Sequence, residues 1–349
     1  MSAPFETGLI VGKFAPLHDG HVMLIEEARR RCRHLILISY SNPEMPGSAP
    51  RRRAQWLADC FPECTRLVVT DARLDEWLGT GCARVPPNEA PDEVHRDFVA
   101  MLCLAVLGRG VDAVFTSEAY GEGFAAHLTR RFRARQPGMR DVAHVLLDPQ
   151  RRRVPISATL LREDAWRHWD HLPPPVARTL VRRVALLGGE SSGKTALAQA
   201  LARSLGTVWV PEYGRELWEA RGGALEPGDM ARIAREQIRR EEGAGGRARL
   251  YIFCDTSPLT TLFYAREMFG RAEPELVQAA GRAYDEVVLC APDFEFVQDG
   301  TRRDAAFRAR QHAWYEAELA ARGVRYRLAR GSLERRVAEL RRALPRGIT

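Results

Sequence analysis

Nowhere does this chain approach the run of roughly 18–20 consecutive apolar residues that a membrane span requires. It also lacks a basic N-terminal segment followed by a long apolar run, and the apolar stretch Thr7–Gly12 is too short for a signal peptide. A cytoplasmic location is therefore expected. The seven cysteines are odd in number and include no C-x-x-C pair. Cys60 and Cys64 stand four apart, but no Cys/His pair nearby completes a zinc set, so reduced structural thiols are expected. Lysine is scarce beside arginine, which clusters at Arg51–Arg53, Arg151–Arg153, Arg182–Arg183 and Arg335–Arg336. These runs are interspersed with acids and carry no interleaved aromatic residues. The net charge of +7 is accordingly read as base composition rather than as a nucleic-acid footprint, and no DNA partner is expected. An N-K-x-D base-reading motif is absent, which argues against a switch GTPase. A K-x-D-G nucleophile is absent too, which argues against ligase-type adenylation.

What is present is globular in composition, 45% hydrophobic and 28% charged. A chain of 349 residues exceeds one ordinary core, so two domains are expected. Apolar runs alternate with amphipathic stretches, the pattern of α/β architecture with parallel sheets. In the first half, strands are predicted at Gly8–Gly12, Leu35–Tyr40, Arg66–Thr70, Ala113–Thr116 and Val142–Leu147. Helices are predicted at His21–Arg31, Arg52–Cys60, Glu93–Leu107 and Phe124–Ala134. Pro173-Pro174-Pro175 then interrupts the helical pattern. A second set follows, with strands at Val184–Leu187, Thr207–Val210, Leu250–Cys254, Glu286–Leu289 and Arg325–Leu328. The expected organisation is two doubly wound parallel-sheet domains, residues 1–170 and 183–349, joined by a proline-rich linker at 171–182.

The strongest single motif is Gly188-Gly189-Glu190-Ser191-Ser192-Gly193-Lys194-Thr195, which fits the P-loop pattern G-x-x-x-x-G-K-S/T between a strand and a helix. Glycines let such a loop wrap closely enough for backbone N–H groups to face phosphate oxygens. Lys194 is placed to reach the β- and γ-phosphates of ATP, and the Thr195 hydroxyl to ligate Mg²⁺. Leu250–Asp255 is an apolar strand ending in an acid, so Asp255 is a candidate metal ligand or catalytic carboxylate; the competing reading is a helix cap before Ser257-Pro258. Glu212, Tyr213 and Arg215 follow the second strand of this half and are candidate substrate contacts, or else an ordinary charged helix start. Arg302, in the turn Gln298–Arg303, is either a lid cation that meets phosphoryl charge or part of a solvated turn.

Near the N-terminus, Gly12-Lys13-Phe14-Ala15-Pro16-Leu17-His18-Asp19-Gly20-His21 follows a buried strand. A zinc pair is one reading of the two histidines, though no third ligand is evident nearby. The other is an anion site, because H-x-G-H opening a helix gathers two imidazoles and free N–H groups. This stretch resembles the nucleotidylyltransferase superfamily, whose partner motif I-S-x-T-x-x-R is matched by Ile156-Ser157-Ala158-Thr159-Leu160-Leu161-Arg162. The resemblance implies that His18, His21, Ser157, Thr159 and Arg162 hold the ATP triphosphate, with Gly12, Lys13 and Phe14 in the same loop.

A nucleotidylyltransferase followed at once by a P-loop kinase is a rare order. The chain resembles the NadR-type bifunctional family over residues 8–340. The likeness rests on G-K-F-x-P-x-H-x-G-H, P-I-S-A-T-x-x-R, L-G-G-E-S-S-G-K-T, E-Y-G-R-E and the D-G-T-R turn, with Thr116–Gly121 similar to that family's fourth-strand loop. It implies phosphorylation of nicotinamide riboside in the C-terminal domain and adenylation of the resulting mononucleotide (NMN) in the N-terminal one, with ATP and Mg²⁺ as cofactors. Some family members carry an N-terminal helix-turn-helix. Here the first strand is predicted from about residue 7, so gene repression is not expected. Asp71–Pro91 matches the family poorly; Trp77 there is either a stacking platform for the nicotinamide ring or a structural tryptophan. Two rival classes stand beside this reading: a nucleic-acid end-processing kinase and adenylyltransferase, and a nucleotide-sensing regulator linked to a nicotinamide riboside transporter. Oligomeric state, including a homo-oligomer, is left open.

Overall fold

The computed structural model of the chain describes residues 3–293 and 304–348, so Arg302 lies outside the described residues. The first sheet contains β1 (Phe5–Val11), β2 (Cys32–Ser39), β3 (Thr65–Val68), β4 (Ala113–Thr116) and β5 (Ala143–Leu146), in the spatial order β3-β2-β1-β4-β5. The second contains β6 (Arg182–Leu187), β7 (Val208–Val210), β8 (Tyr251–Asp255), β9 (Glu286–Cys290) and β10 (Arg327–Ala329), in the order β10-β9-β6-β8-β7. Every pairing between named strands is parallel, as for Leu9 opposite Ile36 and Val114, or Leu186 opposite Asp255 and Val288. The expected α/β class and the predicted strands are therefore present, with ends shifted by a few residues.

Helices α1 (Asp19–Arg29), α2 (Pro50–Cys60), α3 (Asp71–Leu78), α4 (Asp92–Met101), α5 (Gly121–Arg135), α6 (Ala158–Glu163) and α7 (Pro174–Leu180) accompany the first sheet. Helices α8 (Lys194–Leu205), α9 (Tyr213–Ala220), α10 (Pro227–Ala244), α11 (Pro258–Phe269), α12 (Pro274–Ala279), α13 (Ala305–Ala321) and α14 (Leu333–Ala343) accompany the second. Their ends carry local signals. Thr70 caps α3 by accepting from Arg73 N–H, Ser257 caps α11 ahead of Pro258, and α8 stops at Gly206 in the left-handed region. No helix among the described residues is long and apolar enough to cross a membrane.

Two local expectations change. The helix predicted over Glu93–Leu107 is α-helical only to Met101 and continues as a π-helical turn, Leu102–Val106, whose Leu102 and Cys103 are fully buried. The proline run, expected within a linker, instead opens helix α7. Proline is tolerated in a first turn because its missing N–H has no intrahelical partner to lose. Val176 of that helix is fully buried, and the Trp56 indole N–H donates to Thr179 Oγ1 at 2.7 Å.

The chain divides into two compact units, one running to Thr179 and including Arg346 onward, the other Leu180–Pro345. The core of the first gathers Leu9, Ile36, Ile38, Val114, Leu128 and Phe132; that of the second gathers Leu187, Leu262, Leu289, Tyr315 and Leu319. In both, the strand that feeds the candidate phosphate loop is flanked on each side, so that loop emerges from the middle of the sheet.

Gly8 shows how tightly β1 is packed. A Cβ at this position would overlap Cys32 Sγ and stand 2.8 Å from the Phe115 ring, and both neighbours are buried. Gly8→Ala is expected to cost about 1–3 kcal/mol by overpacking. Chemical denaturation measures this, and a midpoint equal to wild type would contradict the packing described.

Candidate active sites

In the first unit, β1 runs into a loop whose parts are held from several directions. Phe14 adopts φ 48° and is buried, its ring 3.2 Å from where a Cβ on Gly12 would be. The fully buried Arg53 of α2 donates to the Lys13 carbonyl at 3.3 Å and to Ser39 Oγ at 2.9 Å, and pairs with both oxygens of Glu44. His18 is the N-cap of α1, and its Nδ1 accepts from Gly20 N–H at 3.1 Å. Because Nδ1 accepts, the neutral ring carries its proton on Nε2, which becomes the available donor.

The His18 and His21 rings stack with centroids 3.7 Å apart, and Phe14 meets His21 edge-on. Burial, then the Arg151, His171 and Arg162 charges, push His18 down to about 3. Burial, then His18 and Arg151, hold His21 well below its ordinary value. Both imidazoles are thus neutral near pH 7, and His21 Nδ1 is buried without a hydrogen-bond partner.

The second motif converges on the same loop. Ser157 caps α6 by accepting from Leu160 N–H. Arg162 donates to the Ala15 carbonyl at 2.6 Å and to Thr159 Oγ1 at 3.0 Å, which ties I-S-x-T-x-x-R to the H-x-G-H loop. Burial and the Arg162 charge lower the Lys13 pKa. Cations drawn together beside neutral histidines raise one another's energy until an anion arrives, which is the electrostatic profile of a polyphosphate site. Trp77 stands apart in character: it is partly buried against the hydrophobic core, with the Arg73 guanidinium 5.1 Å from its ring.

In the second unit, the loop between β6 and α8 has the backbone its glycines predict. Gly188 takes φ 140° and Gly193 takes φ 80°, and a Cβ on Gly188 would lie 2.7 Å from the Cys290 carbonyl. Ser191 also has positive φ, and Ser192 is fully buried. Glu190 receives a hydrogen bond from the Tyr264 hydroxyl at 2.9 Å, while its own N–H donates to Gln311. Lys194 Nζ donates to the Gly188 and Gly189 carbonyls.

Asp255 ends β8, buried, and accepts from the Thr195 hydroxyl at 2.5 Å. Its other oxygen is buried and has no hydrogen-bond partner. A hydroxyl and a carboxylate with an orphaned oxygen suit a hard cation that keeps water and phosphate as its remaining ligands, as Mg²⁺ does. No cluster of three or more His, Cys, Asp or Glu ligands exists among the described residues. Glu212 sits beside Asp255. Burial, then that neighbouring carboxylate, push it up to about 7 against the pull of Lys194 and Arg215.

A cavity of about 660 Å³ joins these groups. Its walls include the polar Glu190, Lys194, Thr195, Glu212 and Arg215 together with Trp218, Leu225, Met230, Ile233, Tyr264 and Met268. Tyr213 is not among them; its ring packs against the core and under the Arg240 guanidinium, 4.5 Å away.

Residues 183–336 match the model of the AAA domain family. Over 318 residues the chain is 30% identical to the trifunctional NAD biosynthesis/regulator protein NadR of Escherichia coli strain K12, covering 84% of this chain and 71% of that protein. The Salmonella typhimurium protein of the same name is 31% identical over 313 residues, with the same coverage. The chain belongs to the NadR family. Solved NadR structures, one in complex with NAD and AMP-PNP and one with NR, superpose with TM-scores of 0.67 at 22% identity. Each covers 97% of this chain, and the chain covers 95% and 96% of them, so the fold is shared across both units.

Several residues of this NadR-family site have no motif of their own. Arg151 belongs to a run read as compositional, yet its charge acts on both histidines and it donates to the Ile156 carbonyl. Its place four residues before the proline of P-I-S-A-T was the available signal. Trp218 and Tyr264 come from α9 and α11 and meet only through the tertiary fold.

The buried neutral histidines generate a pH prediction. In the unfolded chain His18 takes up a proton as pH falls through about 6.5, while in the fold it does so only near 3. Between those values the unfolded state binds more protons, so stability is lost as pH falls, at about 1.4 kcal/mol per pH unit for each such histidine. His18→Gln should shrink the difference in denaturation free energy between pH 7 and pH 5 by about 2 kcal/mol. An unchanged pH dependence would contradict a buried, neutral His18.

Proposed function

We propose that this protein carries out two successive ATP-dependent steps of NAD salvage, phosphorylating nicotinamide riboside in the second unit and adenylating the mononucleotide in the first. The observation that carries the reading is the presence, in one NadR-family chain, of two separately built anion sites whose free donors and cations suit polyphosphate. The assignment follows the two motifs, residues 1–170 for adenylyl transfer and 183–349 for phosphoryl transfer. A cytoplasmic location accords with it.

In the second unit the riboside lies in the cavity with its aromatic ring toward Trp218 and Tyr264 and its 5′-hydroxyl toward Glu212 and Arg215, with Asp255 behind Thr195. The hydroxyl oxygen attacks the γ-phosphorus of ATP, the bond to the β-phosphate oxygen breaks, and ADP leaves. Backbone N–H groups of Gly188–Thr195 and Lys194 hold the phosphates. Glu212, with its raised pKa, accepts the hydroxyl proton. Thr195 and Asp255 would hold Mg²⁺, which would supply charge neutralisation at the transferred phosphoryl group. Arg302 is proposed as a further phosphate contact on motif grounds alone.

In the first unit a phosphate oxygen of the mononucleotide attacks the α-phosphorus of a second ATP, and pyrophosphate leaves. Two anions meet and charge grows on the leaving group. No proton need be removed from the nucleophile, so the chain supplies position and electrostatics. Neutral His18 and His21 donate hydrogen bonds, while Lys13 and Arg162, with Ser157 and Thr159, take the triphosphate. Trp77 is retained as a candidate ring contact, and Tyr213 as a residue that shapes the E-Y-G-R-E turn.

Three variants test this. Lys194→Ala should lower riboside phosphorylation at least about a hundredfold while adenylation of supplied mononucleotide stays within about twofold, and His21→Ala should do the reverse. Folded variants that each lose both activities would refute independent sites. The kinase rate, kcat/KM, should rise as pH passes upward through about 7, where Glu212 loses its proton. Glu212→Gln should abolish that limb, and a retained limb would rule Glu212 out as the base.

A further inference from the structure

Helix α6, which carries Thr159 and Arg162, is only six residues long, and a helix of that length does not hold itself together in water. Its last carbonyls have no partner within the helix. The segment after Pro345 supplies one. Although it follows α14 in sequence, it belongs to the first unit. Ile348 N–H donates to the Arg162 carbonyl at 3.0 Å, and Trp166 N–H donates to the Arg346 carbonyl at 3.2 Å. The Arg346 guanidinium pairs with Asp164 at 3.0 Å and lies 4.7 Å over the Trp166 ring. Ile348 is buried. Between them, Gly347 fits so closely that a Cβ would overlap the Arg162 carbonyl oxygen and stand 2.9 Å from that of Glu163.

We infer that Arg346-Gly347-Ile348 is a positioning element of the adenylyl-transfer site, fixing the backbone of Arg162 so that its guanidinium is preset toward the ATP triphosphate. The inference rests on the functional reading above. At its other end the same side chain is locked to the Ala15 carbonyl and Thr159 Oγ1, so Arg162 is constrained from both sides. Displacing its backbone moves a cation that has no freedom to compensate, and displacements near 1 Å are enough to cost about a hundredfold in a preorganised site.

The test is Gly347→Val in the full chain, with Gly347→Ala as the milder variant should valine impair folding. With supplied mononucleotide, KM for ATP in dinucleotide synthesis should rise at least tenfold for valine and by a smaller factor for alanine. Riboside phosphorylation should stay within twofold in both. In an Arg162→Ala background, the Gly347 substitutions should add less than twofold, a non-additivity that general destabilisation would not produce. Unchanged KM, or an equal further loss in the Arg162→Ala background, would overturn the inference while leaving the functional reading intact. A wild-type chain that makes no dinucleotide would instead overturn the functional reading, and the inference with it.

Discussion

A phosphate oxygen that leaves water must be met by donors that nothing inside the protein already consumes. Both units place the candidate loop where a flanked parallel strand gives way to a helix, at the end that presents N–H groups. Much else follows from it. The strand must be buried on both sides to aim the loop, hence the apolar β1 and β6. The loop must be braced from behind, which is the work of Arg53 under Lys13 and of Arg336 under the P-loop. Arg336 is buried and donates to the Ser192 carbonyl at 2.7 Å, the Ala291 carbonyl at 3.0 Å and the Gly331 carbonyl at 2.9 Å.

The two units solve the problem by different means. The second uses bare backbone: Gly188 and Gly193 take conformations that side chains resist, and the peptide itself becomes the cradle. The first uses side chains whose charge has been tuned. Burial, and after it neighbouring charge, keeps His18 and His21 neutral, so they can donate hydrogen bonds without adding to the repulsion already present between Lys13 and Arg162. Carboxylates divide the same way. In the second unit Asp255 and Glu212 are neighbours, and burial first, then the Asp255 charge, lifts Glu212 toward neutrality. In the first unit the motif's carboxylate, Asp19, faces His171 Nδ1 at 3.7 Å.

How much of this could be read in advance depended on whether chemistry was confined to consecutive residues. The P-loop was legible because its glycines are demanded by local backbone geometry, and H-x-G-H because its first histidine caps the helix whose first turn holds the second. The chain's two lysines, Lys13 and Lys194, both fall in these loops. A chain that otherwise uses arginine thus keeps lysine's compact charge in both candidate phosphate loops. The α/β class and strand positions were legible from apolar periodicity. What escaped depends on tertiary meeting points. Arg151 looked compositional, Trp218 and Tyr264 come from separate helices, and the Gly347 contact spans most of the chain's length. Tyr213 shows the reverse error: its motif is at the site, but its ring faces the core. The proline run misled because the same residue that ends one helix is favoured in the first turn of the next.

The central claim is that one chain uses the two ends of ATP differently, γ-phosphoryl in the second unit and adenylyl in the first. Incubating the purified protein with nicotinamide riboside, Mg²⁺ and ATP labelled separately at the α- and γ-phosphorus tests it most directly. The account predicts that both labels enter the same dinucleotide, the γ label on the nicotinamide side of the pyrophosphate and the α label on the adenosine side. A dinucleotide lacking the γ label, or a mononucleotide that never acquires the α label, would contradict it.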